Sequence, residues 1–222
     1  EAPQQEKLEY RYSGLPFYLF KDYIEKQYGK SLDALNYEKF YAPLGATTLC
    51  YKPLNKFPKS RIVPTEEDDF FRHQLLHGNV HDEGAAMMGG VSGNAGLFGT
   101  SNDVAKMMQM YLQKGYYGGM SYFKPVSLDK FNHRYFQEFG VRRGLGFDKP
   151  QLDDSMATCG CVSFKSFGHS GYTGTYTFVD PDTEIVYVFL SNRVHPTREN
   201  NKLGEADIRT KVQALIQEAI VP

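Results

Sequence analysis

The stretch Gly168-His169-Ser170-Gly171-Tyr172-Thr173-Gly174-Thr175 gathers groups that could do chemistry. It holds an imidazole, several hydroxyls and three glycines. Histidine changes charge near neutrality and can donate or accept at either ring nitrogen. Glycine inside a strand costs stability and marks a bulge or a close approach by a ligand or another backbone. A polar strand edge bracketed by glycines suits a substrate lying along it, held by main-chain hydrogen bonds. Three other histidines, His73, His77 and His81, recur at i, i+4 and i+8. On a helix they would share a face and suggest a metal site. Gly78-Asn79 breaks such a helix before His81, so no metal and no cofactor is expected. The run from Gly89 to Gly99 lacks the Gly-Lys-Ser/Thr ending of a phosphate loop, and Gly-x-Ser-x-Gly is absent.

Several of these stretches resemble the serine β-lactamase and penicillin-binding-protein superfamily, in its class C-like and esterase-like branch. His169-Ser170-Gly171 resembles the third motif, a Lys-Thr-Gly or His-Thr-Gly triplet on the strand lining the active site. Tyr12-Ser13-Gly14 looks like the second motif, Tyr-x-Asn. Tyr41-Ala42-Pro43-Leu44-Gly45, Val80-His81-Asp82-Glu83, the run Gly90 to Phe98 and Leu190-Ser191-Asn192-Arg193 are similar to segments of the same branch. Order and spacing from about Tyr10 onward carry the resemblance.

The resemblance implies acyl transfer through a serine ester, on a β-lactam, a D-amino-acid peptide of cell-wall type or a simple ester. It implies Tyr12 as general base, although a phenol with an ordinary pKa of about 10 needs positive charge nearby to act near neutrality. It implies that His169 and Ser170 bond a substrate carboxylate, and that Tyr172 lends its backbone N–H to an oxyanion hole. Gly171 and Thr173 would line the substrate. Gly14 departs from the pattern, which has Asn or Asp there, and puts specificity or activity in doubt.

The nucleophile of this superfamily is the serine of Ser-x-x-Lys, with the lysine one helical turn away and upstream of the tyrosine motif. The two matches here, Ser121 to Lys124 and Ser127 to Lys130, both follow Tyr12. The expectation is a C-terminal portion of a serine hydrolase that is inactive alone. Its missing partner would be the N-terminal part of the same domain, and open sheet edges would favour self-association. A rival reading is a non-catalytic C-terminal module of a cell-wall glycoside hydrolase resembling family 3 β-N-acetylglucosaminidases. Either parent would suit the periplasm or cell envelope.

The chain has 222 residues, enough for a proper core, and 41% hydrophobic with 14% aromatic residues is a globular composition. A formal net charge of −1 steers it to neither nucleic acid nor an anionic membrane. It has no apolar run of about 18 residues, so no membrane span is expected. Residues 1–9 read as a linker or fragment start. Cys50, Cys159 and Cys161 are odd in number, and the reading favours free thiols over a Cys159–Cys161 bridge.

The elements that must position these groups make an α+β fold: an antiparallel sheet with helices on both sides. Phe17, Phe20, Ile24 and Tyr28 predict a helix over 15–28, with Pro16 in its first turn and Gly29 ending it. Ser31 would cap a short helix through Phe40. Residues 46–72, with Pro53, Pro58 and Pro64, read as loop with short turns. Val104, Met107, Met108, Tyr111 and Leu112 predict a helix starting at Thr100 or Ser101. A small hairpin or turn over 115–124 and a helix over 127–135 follow. Aromatic and β-branched runs around Pro181-Asp182 read as strands. Ile208, Val212, Leu215 and Ile216 form one stripe of a last helix over 207–220. Residues 15–160 would be the mainly helical subdomain, and 161–222 the strands plus the last helix.

Overall fold

A computed structural model of the chain describes residues 10–153 and 157–220. The expected linker over residues 1–9 lies outside them. The fold is α+β, built on an antiparallel sheet of β5 (Phe167–Ser170), β6 (Tyr176–Asp180) and β7 (Ile185–Phe189) in that spatial order. Phe167 pairs with Val179, His169 with Thr177 and Ser170 with Tyr176. Side chains alternate across a strand, and each face meets a different helix. Phe167 and Val179 pack with Met108 of α4 (Ser101–Leu112). Tyr176, Phe178 and Tyr187 pack with Val212 and Ile216 of α7 (Ile208–Glu218). His169, two residues on from Phe167, therefore shares the α4 face.

The glycine at 168 is a steric necessity. A Cβ there would meet the Thr177 carbonyl oxygen at 2.0 Å and the Phe178 ring at 2.5 Å. Here the close approach that the glycine signals is by neighbouring strand atoms.

α1 (Leu15–Tyr28) has Pro in its first turn and left-handed Gly29 at its end, as the sequence predicts. None of its residues is buried, and Leu15, Leu19, Phe20 and Tyr23 are exposed. α2 (Leu32–Asn36) runs into a π-helical turn, Tyr37–Tyr41. Ser31 precedes α2 but makes no side-chain cap hydrogen bond. Tyr41, Leu44, Ala46, Leu49 and Met110 form a second core that also draws on α4, through Met107 and Met110.

Residues 46–72 are not all loop. β1 (Pro64–Asp68) pairs antiparallel with β2 (Gln74–His77), with an irregularity between Pro64 and Glu66. The Glu-Glu-Asp run that hides this strand from an alternation reading is explained by its partners. Glu66 is 2% exposed and accepts from Arg198 N, Nε and Nη2 at 2.8–2.9 Å. Asp68 accepts three backbone N–H groups, from Phe70, Phe71 and Arg72, and the Arg72 Nε. Buried charge is tolerated when it is paired and hydrogen-bonded. His77 lies in a strand, and among the described residues no three His, Cys, Asp or Glu side chains are placed to hold a metal.

A short α3 (Glu83–Met87) is capped by Asp82, whose Oδ1 accepts from Ala85 N at 2.7 Å. β3 (Tyr116–Tyr117) and β4 (Met120–Ser121) make the expected hairpin. α5 (Pro125–Asn132) begins two residues before Ser127, with Pro125 in the first turn, so Ser127 is inside the helix and not its cap. A one-turn α6 (Lys202–Glu205) precedes α7. Among the described residues no helix is long and apolar enough to cross a membrane.

Cys159 and Cys161 form a disulfide, against the free-thiol reading. Gly160, at φ +73°, turns the chain so that the two side chains meet. Cys50 is the free thiol among the described residues.

Candidate active site

An open cleft of about 2060 Å³ runs past the end of β5 and is lined by Tyr12, Gly14, His169, Ser170, Gly171, Tyr172 and Thr173. All the site residues expected from the sequence are among those that line it. The Tyr12 and His169 ring centroids are 6.2 Å apart at an interplanar angle of 38°. Tyr12 comes from the segment entering α1, and His169 from the sheet.

Between them lies a residue that sequence reasoning missed. Arg143 stands over the Tyr12 ring, 4.9 Å from its centroid. Its Nη1 is 2.9 Å from His169 Nε2, and its Nη2 donates to Asp148 Oδ2 at 3.0 Å. Arg142 also clamps Asp148, with Nε and Nη2 at 2.7 and 2.9 Å. A guanidinium has no acceptor, so His169 Nε2 accepts and Nδ1–H donates to the Ser170 carbonyl at 2.7 Å. The imidazole is neutral in this arrangement. Burial pushes its pKa down, the Arg143 and Arg142 charges add to that, and the Ser170 carbonyl and Asp148 pull the other way. The group facing Tyr12 with a permanent positive charge is therefore Arg143. Nothing in the spacing of Arg142-Arg143-Gly-Leu-Gly-Phe-Asp148 flags it, because the loop has no period and Tyr12 and His169 are remote in sequence.

Asn94 was missed as well. A Cβ on Gly14 would meet Asn94 Nδ2 at 2.9 Å, so an amide from the Gly-rich run fills the space that Gly14 leaves. Asn94 Oδ1 accepts from Ser92 Oγ at 2.6 Å, and its Nδ2 donates to Tyr18 Oη at 3.4 Å. Tyr18 in turn donates to Asp82 Oδ1 at 3.2 Å, tying α1 to the Val80–Glu83 run.

The turn after β5 is pinned from behind. Gly171 N–H donates to Thr175 O, Gly174 N–H to Gly171 O, and Arg193 N and Nε donate to Thr173 O and Tyr172 O. Among the described residues the Tyr172 N–H has no acceptor. Arg193 also stacks on the exposed Tyr172 ring at 4.5 Å. His81 meets the same ring at a centroid distance of 5.3 Å. His81 Nε2 stands 2.8 Å from Glu66 Oε2, in a geometry that makes no hydrogen bond. Burial disfavours the charged Glu66, but the Arg198 hydrogen bonds and the His81 and Arg198 charges outweigh it and hold the carboxyl below its usual range.

Of the two serines followed three residues later by lysine, Ser121 lies in β4, outside the cleft lining, and Ser127 lines the cleft from α5. Among the described residues neither hydroxyl is hydrogen-bonded to its lysine, Tyr12 or His169; Ser121 Oγ reaches only the Phe123 carbonyl, at 3.5 Å.

Tyr12 and His169 thus converge at the end of an edge strand, in a sheet with a helix on either face. The β-lactamase family profile matches residues 1–210, and the chain belongs to this β-lactamase and penicillin-binding-protein-like serine hydrolase family. It is 34% identical over 197 residues to a protein of Escherichia coli named "Putative D-alanyl-D-alanine carboxypeptidase", covering 83% of this chain and 45% of that one. A protein of the same name from Salmonella gallinarum is 32% identical over 213 residues, or 90% and 49% of the two chains. The chain thus spans about half the length of the curated relatives it matches. Among solved structures, a β-lactamase from Mycobacterium bovis superposes with a TM-score of 0.64 at 19% identity, covering 96% of this chain and 65% of that one. A penicillin-binding protein homologue from Caulobacter crescentus gives 0.56 at 18% identity, over 78% and 50%. These likenesses bear on the fold.

Proposed function

We propose that this chain carries the tyrosine and third-motif half of a D-alanyl-D-alanine carboxypeptidase-type acyl-transfer site, and that a Ser-x-x-Lys serine outside its 222 residues supplies the nucleophile. The observation that carries the reading is the convergence of Tyr12 and His169, with Arg143 between them, on the cleft at the end of β5. The names of the E. coli and Salmonella relatives support the substrate class. Tyr12 acts as the base, with the Arg143 guanidinium lying over its ring. Ser170 and the Tyr172 N–H face the substrate, the latter as one oxyanion donor. Asn94 supplies the amide that position 14 lacks.

Two experiments test this. In the isolated chain, nitrocefin and p-nitrophenyl esters should not be turned over; turnover abolished by Ser121→Ala or Ser127→Ala would place the nucleophile inside the chain and overturn the reading. In a full-length parent bearing Ser-x-x-Lys, Tyr12→Phe should cut D-alanine release by about 10²–10⁴-fold. Unchanged release in that variant would remove Tyr12 from the mechanism.

A further inference from the structure

Apart from the cleft, the molecule holds a second reactive group, the Cys159–Cys161 bridge across Gly160. Its two sulfurs are not equivalent. Cys161 is exposed and Cys159 is half-buried. The Cys161 backbone N–H donates to Cys159 Sγ at 3.2 Å. Cys159 is also held by the protein: its N–H donates to Gln213 Oε1 at 3.0 Å, and that same oxygen accepts from Tyr176 Oη at 3.1 Å. Gln213 is 2% exposed. On the other side, the fully buried Thr158 is fixed by Gln151, through N and Oγ1 at 3.2 and 2.8 Å.

We infer that Cys159-Gly160-Cys161 is a thiol–disulfide exchange site for small thiols of the glutathione type, with Cys161 as the sulfur attacked and Cys159 as the leaving group. Exchange is fastest when the attacked sulfur is accessible and the departing thiolate is stabilised. Access selects Cys161, and the main-chain donor at Cys159 Sγ stabilises the departing charge. An incoming thiolate forms a bond to Cys161 Sγ, the Sγ–Sγ bond breaks, and its electron pair leaves as the Cys159 thiolate. A second thiolate then attacks the small-thiol sulfur of the mixed disulfide and frees Cys161. In total, two small thiols are oxidised to their disulfide and the bridge is reduced to two thiols. Because Gln213 and Gln151 hold the frame through backbone and side-chain groups other than the sulfurs, the fold survives the cycle. None of this depends on the acyl-transfer reading.

The test uses the unsubstituted chain, with reduced glutathione near neutral pH, acid quenching, alkylation and peptide mass mapping. The expected result is a glutathione adduct on Cys161 with Cys159 free, at unchanged far-UV circular dichroism. An adduct mainly on Cys159, a bridge left intact, or three free thiols before any reductant is added would each overturn the assignment. A second measurement compares iodoacetamide rates in Cys161→Ser, which leaves Cys159, and Cys159→Ser, which leaves Cys161. Near neutral pH, Cys159 should react about tenfold faster, since the thiolate is the reactive form. Cys50, whose thiol burial pushes up, is the slow internal reference. Equal or reversed rates would also overturn it.

Discussion

Arg143 contacts two neighbours at once. It occupies the His169 lone pair and lies over the Tyr12 ring. Removing it deletes both the charge and the N–H that favour the neutral imidazole. In Arg143→Met the His169 titration midpoint, followed by NMR of the ring protons, should rise. A midpoint that stays put would mean that burial and the Arg142 charge hold it down without Arg143. Gly14 makes a gentler probe. In Gly14→Ala the new methyl meets the tip of an exposed Asn94 side chain, which can swing aside. The cost in chemical denaturation should stay within about 0.5 kcal/mol, as for other surface changes. A larger loss would show that the Asn94 contacts with Ser92 and Tyr18 are fixed.

At the scale of the elements, β5 tolerates far less. In Gly168→Ala the methyl would overlap the Thr177 carbonyl, and backbone cannot rotate away. We expect a loss of roughly 3 kcal/mol or more by urea denaturation, or failure to fold, as overpacking at a closed site requires. Stability within the error of the parent would mean that β5 and β6 are not paired in this register. The β1 hairpin has a comparable dependence on Arg198. Arg198→Met would leave the Glu66 carboxylate buried without its main donor, which typically costs about 3–5 kcal/mol. A smaller change would indicate that water reaches Glu66.

How legible these elements were follows from what holds them. The helix over 15–28, the α4 stripe and β5 to β7 show in sequence because apolar periodicity or turn chemistry defines them locally. β1 does not, because its buried positions are Thr65, Glu66 and Asp68, and their partners sit as far away as Arg198. Motif resemblance singles out Tyr12 and His169, whose rings lie 6.2 Å apart. Arg143 and Asn94 have no local signature; each is defined by a neighbour that only the folded chain brings close. The Cys159–Cys161 bridge was misjudged because a Cys-x-Cys spacing says nothing of the left-handed turn at Gly160.

For the molecule as a whole, Lys149 offers a test of packing between its parts. It is 4% exposed, and its Nζ donates to Asn132 Oδ1 at 3.0 Å and to the Lys165 carbonyl at 3.1 Å. Burial pushes its pKa down to about 8, and the Arg134 and Lys114 charges add to that. Between that value and the ordinary 10.5, the unfolded chain holds the proton and the folded chain has released it. Stability therefore rises with pH through this window on account of Lys149. The difference in unfolding free energy between the parent and Lys149→Met should shift in favour of the parent from about pH 8 upward. A pH-independent difference would place Lys149 in contact with solvent.

The Glu66–Arg198 tie joins positions 132 residues apart in the chain. Closing a loop of that length is entropically costly and brings no reward until both ends are already placed. The tie therefore belongs to the end of folding and not to its nucleus. In pulsed hydrogen exchange during refolding, amides around Arg198 should gain protection after those of β6 and β7, whose pairings are local. The wall of the cleft behind Tyr172 would then set after the sheet beside it.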